Sequence, residues 1–123
     1  MKRMTAILLA LVVAISCLAI SVFAGSETFS GTYNGYGYTA SGLVSSNSLY
    51  VYLSYNNANT RLKILGNYNY MDTNNVVHTM PINVTGKTAI NQSPAPTNFH
   101  HFTSADPDYY INGALVISFT LSV

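Results

Sequence analysis

Leu115-Val116-Ile117-Ser118-Phe119-Thr120-Leu121-Ser122-Val123 decides the fold class of this 123-residue chain. Apolar side chains at Leu115, Ile117, Phe119, Leu121 and Val123 alternate with Val116, Ser118, Thr120 and Ser122. Successive strand residues point to opposite faces, so a period of two marks a β-strand with one buried side. A helix would bury positions three and four apart. The run has no charged residue, which suits a central, covered strand better than an open edge.

The same period recurs upstream. Leu49, Val51, Leu53 and Tyr55 alternate with Tyr50, Tyr52 and Ser54. Asn56 to Asn59 then supplies turn residues, and Arg61 to Met71 reads as the next strand, with Gly66 its expected irregularity. After a turn at Asp72-Thr73-Asn74-Asn75, residues Val76, His78, Met80, Ile82 and Val84 share one face. Pro81, which has no N–H for a ladder, assigns this segment to an edge or bulge. Near the start, Glu27 to Tyr33 and Tyr36 to Val44 flank Asn34-Gly35, a strong hairpin signal, with a further break expected at Ser41-Gly42. Residues 86–98, with Pro94 and Pro96, show neither period and read as a surface loop or crossover. Phe99 to Thr103 is a brief strand, and Asp106-Pro107-Asp108 is expected to turn the chain into Tyr109. About seven strands predict an all-β domain, a small antiparallel β-sandwich, because each apolar face needs a second layer.

Ahead of the domain stands a leader. Lys2 and Arg3 precede an apolar run from Ala6 to Ile20, and Val22-Phe23-Ala24 ends it with a small residue, the pattern of a signal peptide cleaved to leave Gly25 first. An uncleaved anchor needs about 20 apolar residues in a row, and Ser16, Cys17 and Ser21 interrupt this one. A lipidated Cys17 is the other alternative, but the run stays apolar beyond it. The expected organisation is residues 1–24 as signal peptide and 25–123 as one secreted, extracellular domain.

Removing the leader changes the chemistry. The formal charge of the whole chain is +1. Residues 25–123 hold Arg61, Lys63 and Lys87 against Glu27, Asp72, Asp106 and Asp108, a net of −1. No basic stripe remains for nucleic acid or for a membrane surface, and stable membrane insertion of the mature chain is not expected. The single cysteine leaves with the leader, so the domain is disulfide-free.

Reactive chemistry is sparse. No Gly-x-Ser-x-Gly elbow, phosphate-binding glycine loop or cysteine nucleophile is present, and an enzyme is not expected. His100 and His101 are expected on opposite strand faces, unable to grip one ion together. Asp106 and Asp108 lack the spacing of a calcium loop, so no metal and no cofactor are assigned. The functional lead is aromatic: all ten tyrosines follow the leader. Tyr50 and Tyr52 share one strand face and Tyr68 and Tyr70 another. Placed on neighbouring strands they would form a platform for a cell-surface glycan or protein; placed inside they would only stabilise the sheets. The expected function is non-covalent binding outside the cell. A low-charge, Asn- and Tyr-rich β chain also raises self-association, and with it a self-assembling extracellular structural role. In layout, a leader followed by a small cysteine-free β domain, the chain resembles the secreted lactococcin-like β-sandwich bacteriocins. That resemblance implies an antimicrobial alternative, but the family's tryptophans have no counterpart and no residue is carried over.

Overall fold

The computed structural model describes residues 20–21 and 25–123. The expected cleavage site and all of the leader except Ile20 and Ser21 lie outside the described residues. Within them every regular element is a strand: β1 (Ile20–Ser21), β2 (Ser26–Tyr33), β3 (Tyr36–Val44), β4 (Leu49–Tyr55), β5 (Leu62–Asp72), β6 (Val77–Gly86), β7 (Ala89–Gln92), β8 (Phe99–Ala105), β9 (Asp108–Ile111) and β10 (Ala114–Ser122). They form two antiparallel sheets. One has the order β2-β3-β4-β7; in the other, β8 and β9 lie between β10 and β5, and β6 closes the far edge. β1 adds a two-residue parallel ladder on β10, pairing Ile20 with Phe119 and Ser21 with Thr120.

Local chemistry explains the turns. Asn34 and Gly35 both adopt positive φ, 49° and 82°, and join β2 to β3 with Tyr33 paired to Tyr36. Asn tolerates the left-handed region and Gly has no Cβ to oppose it. Asn59, Asn75 and Asn112 take the same conformation at later turns. β6 is an edge strand, as Pro81 requires, and at the opposite end of the other sheet the edge strand β2 turns the half-buried Glu27 inward with Phe29 and Tyr33. An inward charge on an edge discourages pairing with another chain.

Nine antiparallel strands replace the seven expected, because β7 and β9 are additional. Ala89–Gln92, read as loop, is β7: its four residues are too few to show a period, yet they complete the ladder of β4 by pairing Leu53 with Ile90 and Val51 with Gln92. β3 runs unbroken through Ser41-Gly42. Asp106-Pro107 does not reverse the chain. Tyr68 pairs with Ala105 and Leu65 with Asp108, so β8 and β9 are collinear along β5 and in one register. Pro107 has no N–H, and the ladder is patched around it. Asn67 N–H donates to Asp106 Oδ1 at 3.0 Å, Asp106 N–H to Asn67 O at 3.0 Å, and Phe119 N–H to Pro107 O at 3.0 Å.

Bulges alter the alternation read from the sequence. In β10 the register shifts between Leu115 and Ile117, so Val116 turns in and Leu115, expected in the core, is 44% exposed. In β8 the pairing with β5 slips at Thr103 and again at His100. Phe99, Phe102 and Ala105 therefore face inward at a spacing of three, since each extra residue on a bulged strand displaces its neighbours by one face.

The inner faces of both sheets feed one buried cluster. Val44, Leu49, Val51 and Leu53 come from the four-stranded sheet, and Leu62, Ile64, Ile111, Ile117, Phe119 and Leu121 from the other. Tyr109 bridges them: fully buried, it donates its hydroxyl to Ser41 O at 2.5 Å and sets its ring 5.2 Å from Phe119. Burial first, and Tyr50 second, push its phenol upward, so it stays a neutral donor.

Gly66 and Gly35 separate two costs. Both have positive φ, 138° and 82°, but a Cβ on Gly66 would run into the Asp106 backbone carbonyl, while Gly35 faces open space. In urea denaturation, Gly35→Ala is expected to cost about 1 kcal/mol and Gly66→Ala at least about 3 kcal/mol, since overlap with backbone adds to strain. Equal losses would contradict the account of β8 and β9.

Candidate functional site

The outer face of the β2-β3-β4-β7 sheet is uncharged and mostly polar. Alternation directs Ser26, Thr28, Ser30 and Thr32 of β2 outward, then Thr39, Ser41 and Leu43 of β3, Tyr50, Tyr52 and Ser54 of β4, and Asn91 of β7. Register places Tyr52 between Ser41 and Asn91, and Tyr50 opposite Leu43. The two rings lie 6.2 Å apart and within 16° of parallel, both partly exposed. Beside them the hydroxyls of Thr28 and Ser41 are 3.0 Å apart, and those of Ser30 and Thr39 3.2 Å apart. Such cross-strand hydroxyl pairs add a modest stabilisation to the sheet. The result is a strip of two near-parallel rings beside hydroxyl and amide groups.

Tyr68 and Tyr70 are elsewhere. They share a face, as the spacing predicts, but it is the inner face of β5, where they are 5% and 6% exposed. Tyr68 meets Phe102 edge-on at 6.0 Å and Tyr70 meets Phe99 at 6.3 Å. Burial, and Tyr70 next, raise the Tyr68 phenol above its ordinary pKa. β4 and β5 belong to different sheets, so the four rings make no common platform, and only Tyr50 and Tyr52 meet solvent. Tyr33 and Tyr36 at the first hairpin pack on Tyr55 at 6.2 and 6.1 Å, and Tyr55 donates its hydroxyl to Tyr33 O.

The histidines also depart from the expected geometry. The bulge at His100 puts His100 and His101 on the same side of β8, with their Nδ1 atoms 2.7 Å apart and rings 4.9 Å apart. One ring donates to the other. Among the described residues no three ligand-type side chains gather around a common point. His78 instead pairs with Asp72, Nε2 to Oδ2 at 2.7 Å, and stacks on Tyr70 at 4.9 Å. The other Asp72 oxygen accepts N–H bonds from Asn74 at 2.8 Å and Val76 at 3.0 Å, closing the β5–β6 turn.

A second concavity escaped the sequence reading. Arg61, Lys63 and Lys87 line one cavity of about 640 Å³ together with Leu65, Tyr110 and Asn112. The signal was present in the β5–β6 hairpin register, which brings residues 61 and 87 to the same end of the ladder. Treating the cations only as a net charge discarded it.

Comparison of the chain with family profiles, curated proteins and solved structures returns no match in any of the three, so the functional reading rests on the geometry of the site.

The Asp72 turn yields a pH prediction. The His78 hydrogen bond first, then the Val76 amide, hold the Asp72 carboxyl below its ordinary pKa. A folded pKa below the unfolded value of about 3.9 gives stabilisation that is complete above that value and is lost as pH falls through the folded pKa. Denaturation curves from neutral pH to about pH 2 should show the protein weakening below about pH 4, and Asp72→Asn should be less stable at neutral pH with a shallower acid limb. Parallel acid limbs would assign the acid response to other groups.

Proposed function

We propose that this chain is an exported β-sandwich that binds a glycan at or outside the cell surface, without catalysis, through the face around Tyr50 and Tyr52. The leader pattern of residues 1–24 supports export, and the two sheets sharing one core support the sandwich. The carrying observation is the pair of near-parallel, partly exposed rings on a sheet face whose other outward groups, Leu43 apart, are mostly hydroxyls and amides. Sugar rings present apolar C–H faces edged by hydroxyls, which such a strip matches by stacking and hydrogen bonding. A protein partner fits less well: the centre of a protein interface is rich in bulky apolar groups, and the large exposed hydrophobic on this face is Leu43.

Sedimentation with insoluble cell-wall polysaccharides tests this. The protein is expected to co-pellet. Replacing both rings, Tyr50→Ala with Tyr52→Ala, is expected to weaken capture about thirtyfold, from about 1 kcal/mol per aromatic contact, while the thermal transition persists. Undiminished capture by the folded double variant would overturn the assignment.

A further inference from the structure

The cavity on the other sheet gathers the cations of residues 25–123. Arg61, Lys63 and Lys87 are the complete set of Arg and Lys within residues 25–123, and all three converge there. None of the four carboxylates of the same span forms an ion pair with these cations, although Asp108 lies on the same outer face, opposite Leu65. Glu27 is on β2 of the opposite sheet, Asp72 holds His78 at the far end of β5, Asp106 bonds Asn67 N–H, and Asp108 accepts from Ser118 at 2.6 Å. Among the described residues the ion pair that forms is His78 with Asp72, not one involving these cations.

Their placement works against the apo fold. Leu62 pairs with Gly86 at the end of the β5–β6 ladder, and Arg61 and Lys87 follow directly beyond it, both lining the cavity. Like charges gathered at one end of a strand pair repel. Lys63, one turn of the pleat further, stands between Thr85 and Tyr110 on the same outer face. The Arg61 backbone is fixed by its N–H to Asn112 Oδ1 at 3.1 Å and its carbonyl to Asn112 N–H at 2.8 Å. Three cations lining one cavity without an ion-pair partner suit an oxyanion, since N⁺–H donors bind carboxylate, sulfate or phosphate oxygens strongly. The half-buried Tyr110 ring and Leu65 offer an apolar wall beside them, and the volume lies within the ~300–1,000 Å³ of small-ligand clefts.

We infer that the Arg61–Lys63–Lys87 cavity binds an acidic glycan, a sugar polymer whose units carry an oxyanion, at a site separate from the Tyr50 and Tyr52 face. The oxyanion seats among the cations and the sugar ring lies against Tyr110. Three cations in one pocket do not make the long basic track that a nucleic-acid backbone requires.

Affinity electrophoresis of the purified protein through gels containing polygalacturonate, dextran sulfate or neutral dextran tests the inference. Retardation is expected with at least one anionic polymer and not with neutral dextran, fading as salt rises toward about 0.3 M. Arg61→Gln and Lys87→Gln should each weaken binding about three- to tenfold, their combination with Lys63→Gln should abolish it, and Lys87→Arg should retain it. Retardation by only one polymer identifies carboxylate or sulfate as the preferred oxyanion. Without ligand, at low salt, Lys87→Gln should raise the thermal midpoint by about 1–3 °C by relieving repulsion, whereas a cation with a structural role would lower it. The double variant Tyr50→Ala, Tyr52→Ala should keep its affinity for the anionic polymer, which separates this site from the face on the other sheet. Equal retardation of the triple variant, no retardation by either anionic polymer, or tighter capture by polyglutamate than by both would overturn the inference.

Discussion

At Gly42 the two sheets approach too closely to admit a side chain, and that contact organises the core around it. A side chain there would press on Leu121 at 2.6 Å, with the Tyr109 hydroxyl at 3.3 Å and Phe119 at 3.4 Å. Without one, β3 lets three of the bulkiest buried side chains of the opposite sheet come up against its backbone, and Tyr109 reaches across to the Ser41 carbonyl. Residues 25–123 contain no cysteine and so no covalent staple, and burial and hydrogen bonds between layers must offset the entropy of ordering them. One inward-reaching phenol satisfies an otherwise buried carbonyl and fills the space that the glycine opens.

That approach fixes which faces point outward, and so what the protein displays. With Leu49, Val51, Leu53 and Tyr55 inward, Tyr50 and Tyr52 have to face solvent, along with the Ser and Thr rows of β2 and β3. On the other sheet the same parity puts Lys63 and Tyr110 outside. The domain thus has two dissimilar surfaces back to back, one neutral with hydroxyls and stacked rings, the other with every cation of the domain in a single hollow. Two surfaces on opposite layers suit engagement of a polymer or of two ligands at once, in which a second contact benefits from the effective concentration set by the first.

Strand identity was legible in the sequence wherever alternation was regular and turn chemistry unambiguous. β4 matches its expected bounds, Asn34-Gly35 forms the hairpin, Gly66 is the irregular point of β5, and Pro81 lies on an edge. What escaped the reading was parity after a bulge. Phe99, Phe102 and Ala105 at spacing three were the visible trace of two bulges in β8, and missing it misplaced His101 relative to His100. Asp106-Pro107 resembled a turn because Asp and Pro are turn residues, although a proline inside an interrupted ladder has the same composition. The two tyrosine pairs are indistinguishable by local pattern, since each occupies alternate strand positions. Only the packing of Tyr68 and Tyr70 against Phe102 and Phe99 assigns them to the core.

The central claim is that recognition happens on the outward parity of β3 and β4. Amide chemical-shift mapping with a soluble wall-derived oligosaccharide addresses it most directly. Perturbations clustered on Thr39, Ser41, Tyr50 and Tyr52, with Tyr68, Tyr70 and the inner-face strands little changed, are the predicted result. Perturbations confined to the hairpin tips, or none at saturating oligosaccharide, would contradict it.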